Sequence, residues 1–259
     1  MGWVLGCLGI GKNLLFFNIF MSGHNKWSKI KHVKGAADAK KGALFTKLGN
    51  LITAAAREAG GDPETNFALR LAVDRAKKAN LPKENITRAI KRGTGGLAGE
   101  QIEEVIYEGF GPQGVALIVE VLTDNKNRAV SSLRKIFSEY GGSLGEQNSV
   151  RWMFKQKGVV RITRDKLKNL EEIELIAIDL GAEDIKVEAE GLVIFSSLEN
   201  LEKIKKGLEK KGFEIDQAGI EWLPQDPLKV DDKLAVKIEE IFKKLEENPD
   251  VNDYYSNLE

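Results

Sequence analysis

What most constrains this chain is a change of hydrophobic period at "GTGGLAGE", residues 93–100. Before it, apolar residues recur every three to four positions, a spacing that only a helix brings to one face. After it, short alternating runs separate further helical stretches, the pattern of mixed sheet-and-helix units. The stretch itself carries Gly93, Gly95 and Ala98 at the G-x-G-x-x-A spacing of dinucleotide sites. It leaves a helix instead of following a strand, so no helix N-terminus stands ready for a pyrophosphate. It reads as a flexible linker.

Three helices are expected ahead of the linker. Within "ADAKKGALFTKLGNLITAAAREAGG", Leu44, Leu48, Leu51, Ile52 and Ala55 share a face flanked by Lys40 and Lys47, and Gly60–Gly61 ends it. Lys41 falls inside that arc. Asp62 as N-cap and Pro63 at the first position are expected to open the second helix, with Leu69, Ala72, Val73 and Ala76 inward. The third follows Leu81–Pro82, turns Ile86, Ala89 and Ile90 inward, and stops at Gly93. Its other side carries Arg88, Lys91 and Arg92 at i, i+3, i+4, one basic face.

Beyond the linker, "EEVIYEGF" and "GVALIVEVL" read as strands joined by the turn "GPQG", followed by the helix "NRAVSSLRKIFSEYGG" and a strand "SVRWMF". A βαββαβ series then runs from "GVVRIT" to a strand near "EIDQAGIEWL", the order of a ferredoxin-like sandwich. The last helix, "KLAVKIEEIFKKLEEN", is expected to pack back on the earlier strands. The fold class is therefore α+β multidomain: an N-terminal helical domain followed by two α+β, ferredoxin-like domains, the third inserted in the second. The boundaries expected are 21–97 for the helices, 98–156 plus 218–259 for the middle domain, and 157–217 for the insertion.

The net charge of zero hides a division. Ser22 to Ala98 holds 16 Lys/Arg against 6 Asp/Glu; Gly99 to Glu259 holds 22 against 33. A basic segment joined to an acidic body is the pattern of a chain that faces nucleic acid with one part.

The first twenty residues, "MGWVLGCLGIGKNLLFFNIF", have apolar runs split by Lys12, Asn13 and Asn18. They make a poor signal peptide, transit peptide or membrane span. Gly6, Gly11 and Lys12 stand at P-loop spacing, but Asn13 replaces the hydroxyl that would hold magnesium. Residues 1–20 are read as an extension, with Met21 the expected start.

Enzyme chemistry finds little material. Cys7 is the single cysteine, and the two histidines, His24 and His32, have only Asp38 nearby as a carboxylate. That leaves no basis for a catalytic triad or a metal cluster. Neither a catalytic site, a cofactor, a metal nor a small-molecule substrate is expected.

Nucleic acid is the expected partner. Lys26, Lys29, Lys31, Lys34, Lys40 and Lys41 surround Trp27. Lysines neutralise phosphates whatever the sequence, and an indole either stacks on a base or anchors its own domain's core. His32 is read as a phosphate or backbone contact. Lys47, Arg70, Arg75, Lys77, Lys78, Lys83, Arg88, Lys91 and Arg92 complete the candidate set. No helix-turn-helix, zinc finger, RNP motif or KH loop is read in the sequence, so nothing separates DNA from RNA.

Five stretches carry a family resemblance: "MSGHNKWSKIKH" from Met21, "DP" at 62–63, "LRLAVDRAKKANLPKENITRAIKRGTG" at 69–95, "YEGFGPQGVALIVEVLTDNKNR" at 107–128, and "GGSLGEQNSVRWMF" at 141–154. Together they closely resemble the YebC family, which includes the mitochondrial translational activator of cytochrome oxidase. The resemblance implies a basic helical domain before two α+β domains, a cytoplasmic location and no enzymatic activity. Its members are described as DNA-binding transcriptional regulators, and others as ribosome-associated factors that relieve stalling at proline runs. Ribosomal RNA is thus the alternative target to DNA. "GPQG" replaces the family's more usual "GPGG", and Phe67 stands where proline is common.

Overall fold

A computed structural model describes residues 38–97 and 101–259. Three helices come first: α1 (Asp38–Ala59), α2 (Phe67–Lys78) and α3 (Lys83–Gly93). The chain continues through β1 (Glu103–Phe110), β2 (Ala116–Thr123), α4 (Lys126–Glu139), β3 (Ser143–Leu144) and β4 (Phe154–Thr163). It ends with α5 (Leu170–Asp179), β5 (Ala182–Val187), β6 (Gly191–Ser196), α6 (Leu198–Lys210), β7 (Gln217–Pro224), α7 (Asp232–Glu247) and β8 (Val251–Ser256).

The helical unit buries the periodic positions. Leu48, Ile52 and Ala55 of α1 meet Leu69, Ala72, Val73 and Ala76 of α2 and Ile86 and Ala89 of α3 in one cluster. Leu44, Leu51 and Ile90 sit at its margin. A Cβ on Gly93 would lie 2.4 Å from the Thr53 carbonyl oxygen and 2.8 Å from Ala56 Cβ. Glycine is thus required there by the close approach of α3 to α1.

The start of α2 differs from the expected one. Asp62 and Pro63 form a separate turn, with the Asn66 N–H donating to the Asp62 carbonyl at 2.9 Å, and the helix begins at Phe67. Asn66 is the cap: its side-chain oxygen accepts from the Leu69 N–H at 3.0 Å. Its amide nitrogen donates to the carbonyls of Ala55 and Gly60, each at 2.8 Å. One buried side chain therefore satisfies the end of α1 and the start of α2, which neither Asp62 nor Pro63 could do.

Two sheets of four antiparallel strands follow, ordered β3-β1-β2-β8 and β5-β6-β4-β7. The α+β class is as expected, with the second sheet nested between β3 and the return of α7 and β8 to the first. Helices α4 and α7 cover one face of the first sheet over Leu117, Val119, Val121, Leu133, Ile238 and Tyr254. On its other face Ile118 and Tyr255 meet Val150, Phe154 and Trp222. The second sheet has the split βαβ connectivity of a ferredoxin-like unit, with α5 and α6 packed on Val160, Ile162, Leu192 and Ile194. The first has a different one, a β1–β2 hairpin flanked by late-arriving strands.

The second sheet spans Phe154 to Pro224, beyond the 157–217 drawn from sequence. Strand β7 pairs with β4 over eight residues, from Phe154↔Pro224 to Arg161↔Gln217. Alternation in a strand reports which face is buried, not which sheet it joins. The buried Arg161–Glu221 pair, with Arg161 Nη2 to Glu221 Oε2 at 3.0 Å, locks that ladder. No helix among the described residues is long and apolar enough to cross a membrane.

Candidate nucleic-acid interface

The candidate cations divide into those that dock the helical unit onto the sheets and those left facing outward. Lys26, Trp27, Lys29, Lys31, His32 and Lys34 lie outside the described residues, and for Lys40 only the backbone in α1 is described.

Docking runs along one stripe of α2. At i, i+4 and i+8, Arg70 pairs with Glu202 of α6, Asp74 with Lys205 at 2.9 Å, and the Lys78 ammonium donates to the carbonyls of Ile215 and Asp216 at 2.6 and 3.0 Å. Phe67 and Leu71 of the same stripe pack against the core of the second unit, and the Arg70 guanidinium lies 5.5 Å over the Phe67 ring. Burial, opposed by the charge of Asp216, holds the Lys78 ammonium below the usual lysine range. Lys205 is buried; burial lowers its affinity for the proton, but its bonds to Asp74 and Glu209 prevail and raise it.

Lys47 belongs with this group. Its ammonium donates to the Glu246 carbonyl at 2.6 Å, a cation at the C-terminal end of α7. Arg75 is half-buried and acts electrostatically on the buried Tyr255 phenol. Four expected phosphate contacts, Lys47, Arg70, Arg75 and Lys78, are thus turned toward the body of the molecule. Charge and helical period alone could not separate them from the outward set. The signal available was the alternation of sign at Arg70, Asp74 and Lys78, matched by Glu202 and Lys205, residues the sequence reading passed over.

The remaining cations face outward. Lys41 is exposed, its ammonium 5.9 Å from the Phe45 ring centroid. Lys77, Lys83, Arg88 and Lys91 are exposed and Arg92 is half-buried. Among the described residues none of these five is held in an ion pair. Helix α3 explains the grouping: with Ile86 and Ala89 buried, its 3.6-residue period turns Arg88, Lys91 and Arg92 to one outer face. The four residues Ala79–Pro82 join α2 to α3, a connection of helix-turn-helix length, with Asn80 in the left-handed region at φ 59. Cations at the spacing of Arg88, Lys91 and Arg92 can bridge successive phosphates of a nucleic-acid backbone.

The sequence reading also missed Trp152. It is 70% exposed, with its indole N–H donating to the Ser149 carbonyl at 3.1 Å. A ring so fixed offers its face to a stacking partner.

Family models match both parts of the chain. That of the TACO1/YebC protein N-terminal domain covers residues 25–96, and that of the TACO1/YebC second and third domain covers residues 102–258. A "Probable transcriptional regulatory protein" of Thermotoga maritima is 54% identical over 239 residues, 92% of this chain and 94% of that protein. A relative of the same description from Thermoanaerobacter pseudethanolicus is 48% identical over 239 residues, 92% of this chain and 97% of that one. The crystal structure of a conserved hypothetical protein from Aquifex aeolicus matches with a TM-score of 0.80 at 43% identity, over 86% of this chain and 91% of that one.

Proposed function

This chain belongs to the TACO1/YebC family, and from that premise we propose that it is a non-enzymatic, DNA-binding regulator of gene expression. The observation that carries the reading is the outer face of α3, where Arg88, Lys91 and Arg92 stand without an acidic partner among the described residues. The names of its relatives support a role in transcription.

In this reading α3 lies along the phosphate backbone, and the guanidinium forks of Arg88 and Arg92 hold phosphate oxygens in pairs. Lys77 and Lys83, on either side of the α2–α3 turn, extend the contact. These groups give affinity and register without reading bases. The acidic body is repelled by the duplex, so the protein presents the helical unit first.

Replacing Arg88, Lys91 and Arg92 together by Glu is expected to abolish measurable binding to duplex DNA at physiological salt in fluorescence anisotropy. At low salt the slope of log affinity against log salt should shrink by about 2 to 3, since each lost phosphate contact removes about 0.9. An unchanged slope contradicts the α3 face. Crosslinking in cells is expected to recover promoter DNA; ribosomal RNA in its place would overturn the transcriptional assignment.

A further inference from the structure

Helix α6 departs from the sign of the acidic body that carries it. Leu201, Ile204 and Leu208 are buried in the core of the second unit. With 3.6 residues per turn, Glu199, Lys203, Lys206 and Lys210 fall on the opposite flank, at i, i+4, i+7 and i+11. All four are exposed. The carboxylates beside this stripe are taken up at the seam with α2. Glu202 pairs with Arg70 and, at 2.6 Å, with Lys206. Asp74 and Glu209 both pair with Lys205. Lys203 donates to Asn200 Oδ1 at 3.2 Å, and neither it nor Lys210 is in an ion pair among the described residues. The Lys206–Glu202 pair is on the surface, so it holds Lys206 only weakly against a competing anion. Glu199 alone of the stripe is acidic, against three lysines.

Helix α2 adds the same sign on the other side of the seam. Its contacts with the second unit ascend together, from Arg70–Glu202 through Asp74–Lys205 to Lys78–Ile215, so α2 and α6 run parallel. Arg75 is turned toward Tyr255 and the sheets. Lys77, two residues on and so about 200° round the helix, is turned away from them and exposed. Lys206 and Lys210 also point away from the sheet that α6 covers. Lys77, Lys206 and Lys210 therefore share one outer surface that crosses the seam. Helix α7 shows the contrast: its exposed Lys233, Lys237 and Lys243 are interleaved with exposed Glu239, Glu240 and Glu247.

We propose that the outer flank of α6, through Lys203, Lys206 and Lys210, is a second phosphate-binding face for the nucleic acid held by α3, an inference that rests on the DNA-binding reading above. Lys77 links the two faces, and the docking of α2 on α6 fixes their spacing. The lysines act as point charges on the backbone and read no bases.

The test titrates the full chain with a fluorescent DNA duplex of mixed sequence across a salt series. Lys203→Gln with Lys206→Gln and Lys210→Gln should shrink the slope of log affinity against log salt by about 2 to 3, since each lost contact removes about 0.9. Lys203→Gln with Lys210→Gln leaves every described ion pair in place and should shrink it by about 2, which keeps the test should the triple variant be less stable. Lys233→Gln with Lys237→Gln and Lys243→Gln removes the same charge from α7 and should leave the slope unchanged. An unaltered slope in both α6 variants, beside a reduced one in the α3 variant, overturns the α6 face and leaves the proposed function standing. Equal loss in the α7 variant also overturns it, because net charge alone would then be at work. Salt-insensitive binding by the unaltered protein overturns both readings. Binding of a polyglutamate peptide that the α6 substitutions abolish, with DNA binding untouched, would give these lysines to an acidic protein instead.

Discussion

Asn66 joins two helix ends through one side chain. It is buried, accepts one backbone bond and donates two. Asn66→Ala should lower stability by about 2 to 3 kcal/mol, the loss of a cap plus two carbonyls left without a donor. Urea unfolding followed by circular dichroism measures it, and Asn66→Ser should recover only the share due to the cap. Gln113 makes the opposite case. It occupies the left-handed region at φ 56 in the turn between β1 and β2, a conformation costing a side chain about 1 to 2 kcal/mol. Gln113→Gly should therefore stabilise the fold by up to about 1 kcal/mol once the greater freedom of unfolded glycine is set against it. Tyr255 gives a pH signature. Burial first, then Asp253, Glu120 and Glu221, hold its phenol well above the usual tyrosine range. The native chain keeps a proton that the unfolded chain releases near pH 10, so this contribution is whole below that pH and declines above it. Tyr255→Phe should flatten the alkaline fall in the urea midpoint; a decline parallel to that of the unaltered protein would contradict the assignment.

At the level of elements, α2 and α3 show two uses of the same charge. A double-mutant cycle on Asp74 and Lys205 should give a coupling of about 1 kcal/mol or more, because Lys205 is buried and loses its partner across the domain boundary. A like cycle on Arg88 and any residue of the sheets should give none. Much of this architecture was legible beforehand. Leu69, Ala72, Val73 and Ala76 marked the inner face of α2, and Arg88, Lys91 and Arg92 marked the outer face of α3, because both are local consequences of a 3.6-residue period. The cap at Asn66 was hidden by Asp62 and Pro63, which have the chemistry of a helix start four residues too early. The docking of Arg70 and Lys78 was hidden for a different reason. Their partners lie more than 130 positions away on α6 and at Ile215–Asp216, and no local pattern specifies what an exposed face will meet. The strand near "EIDQAGIEWL" was counted in the βαββαβ series, but the bound at 217 cut it short, because alternation does not say how far a ladder runs.

For the whole molecule, the stripe on α2 makes the helical unit and the second sheet one cooperative body. Calorimetry should record a single unfolding transition, and reversing Arg70 and Lys78 to Glu should split it, with the helical unit melting first. The nested arrangement has a further consequence for how the chain reaches this state. Strand β2 must find β8 across about 130 residues, from Val121 to Val251. Yet Phe154 and Pro224, the two ends of the inserted unit, face each other in the β4–β7 ladder. Once that unit has folded, it ties off its own length and shortens the span to be closed to about 60 residues, a saving of roughly 0.6 kcal/mol in loop entropy. The insertion thus works as a knot drawn in a long thread: tightened first, it brings the last strand within easier reach of its seat.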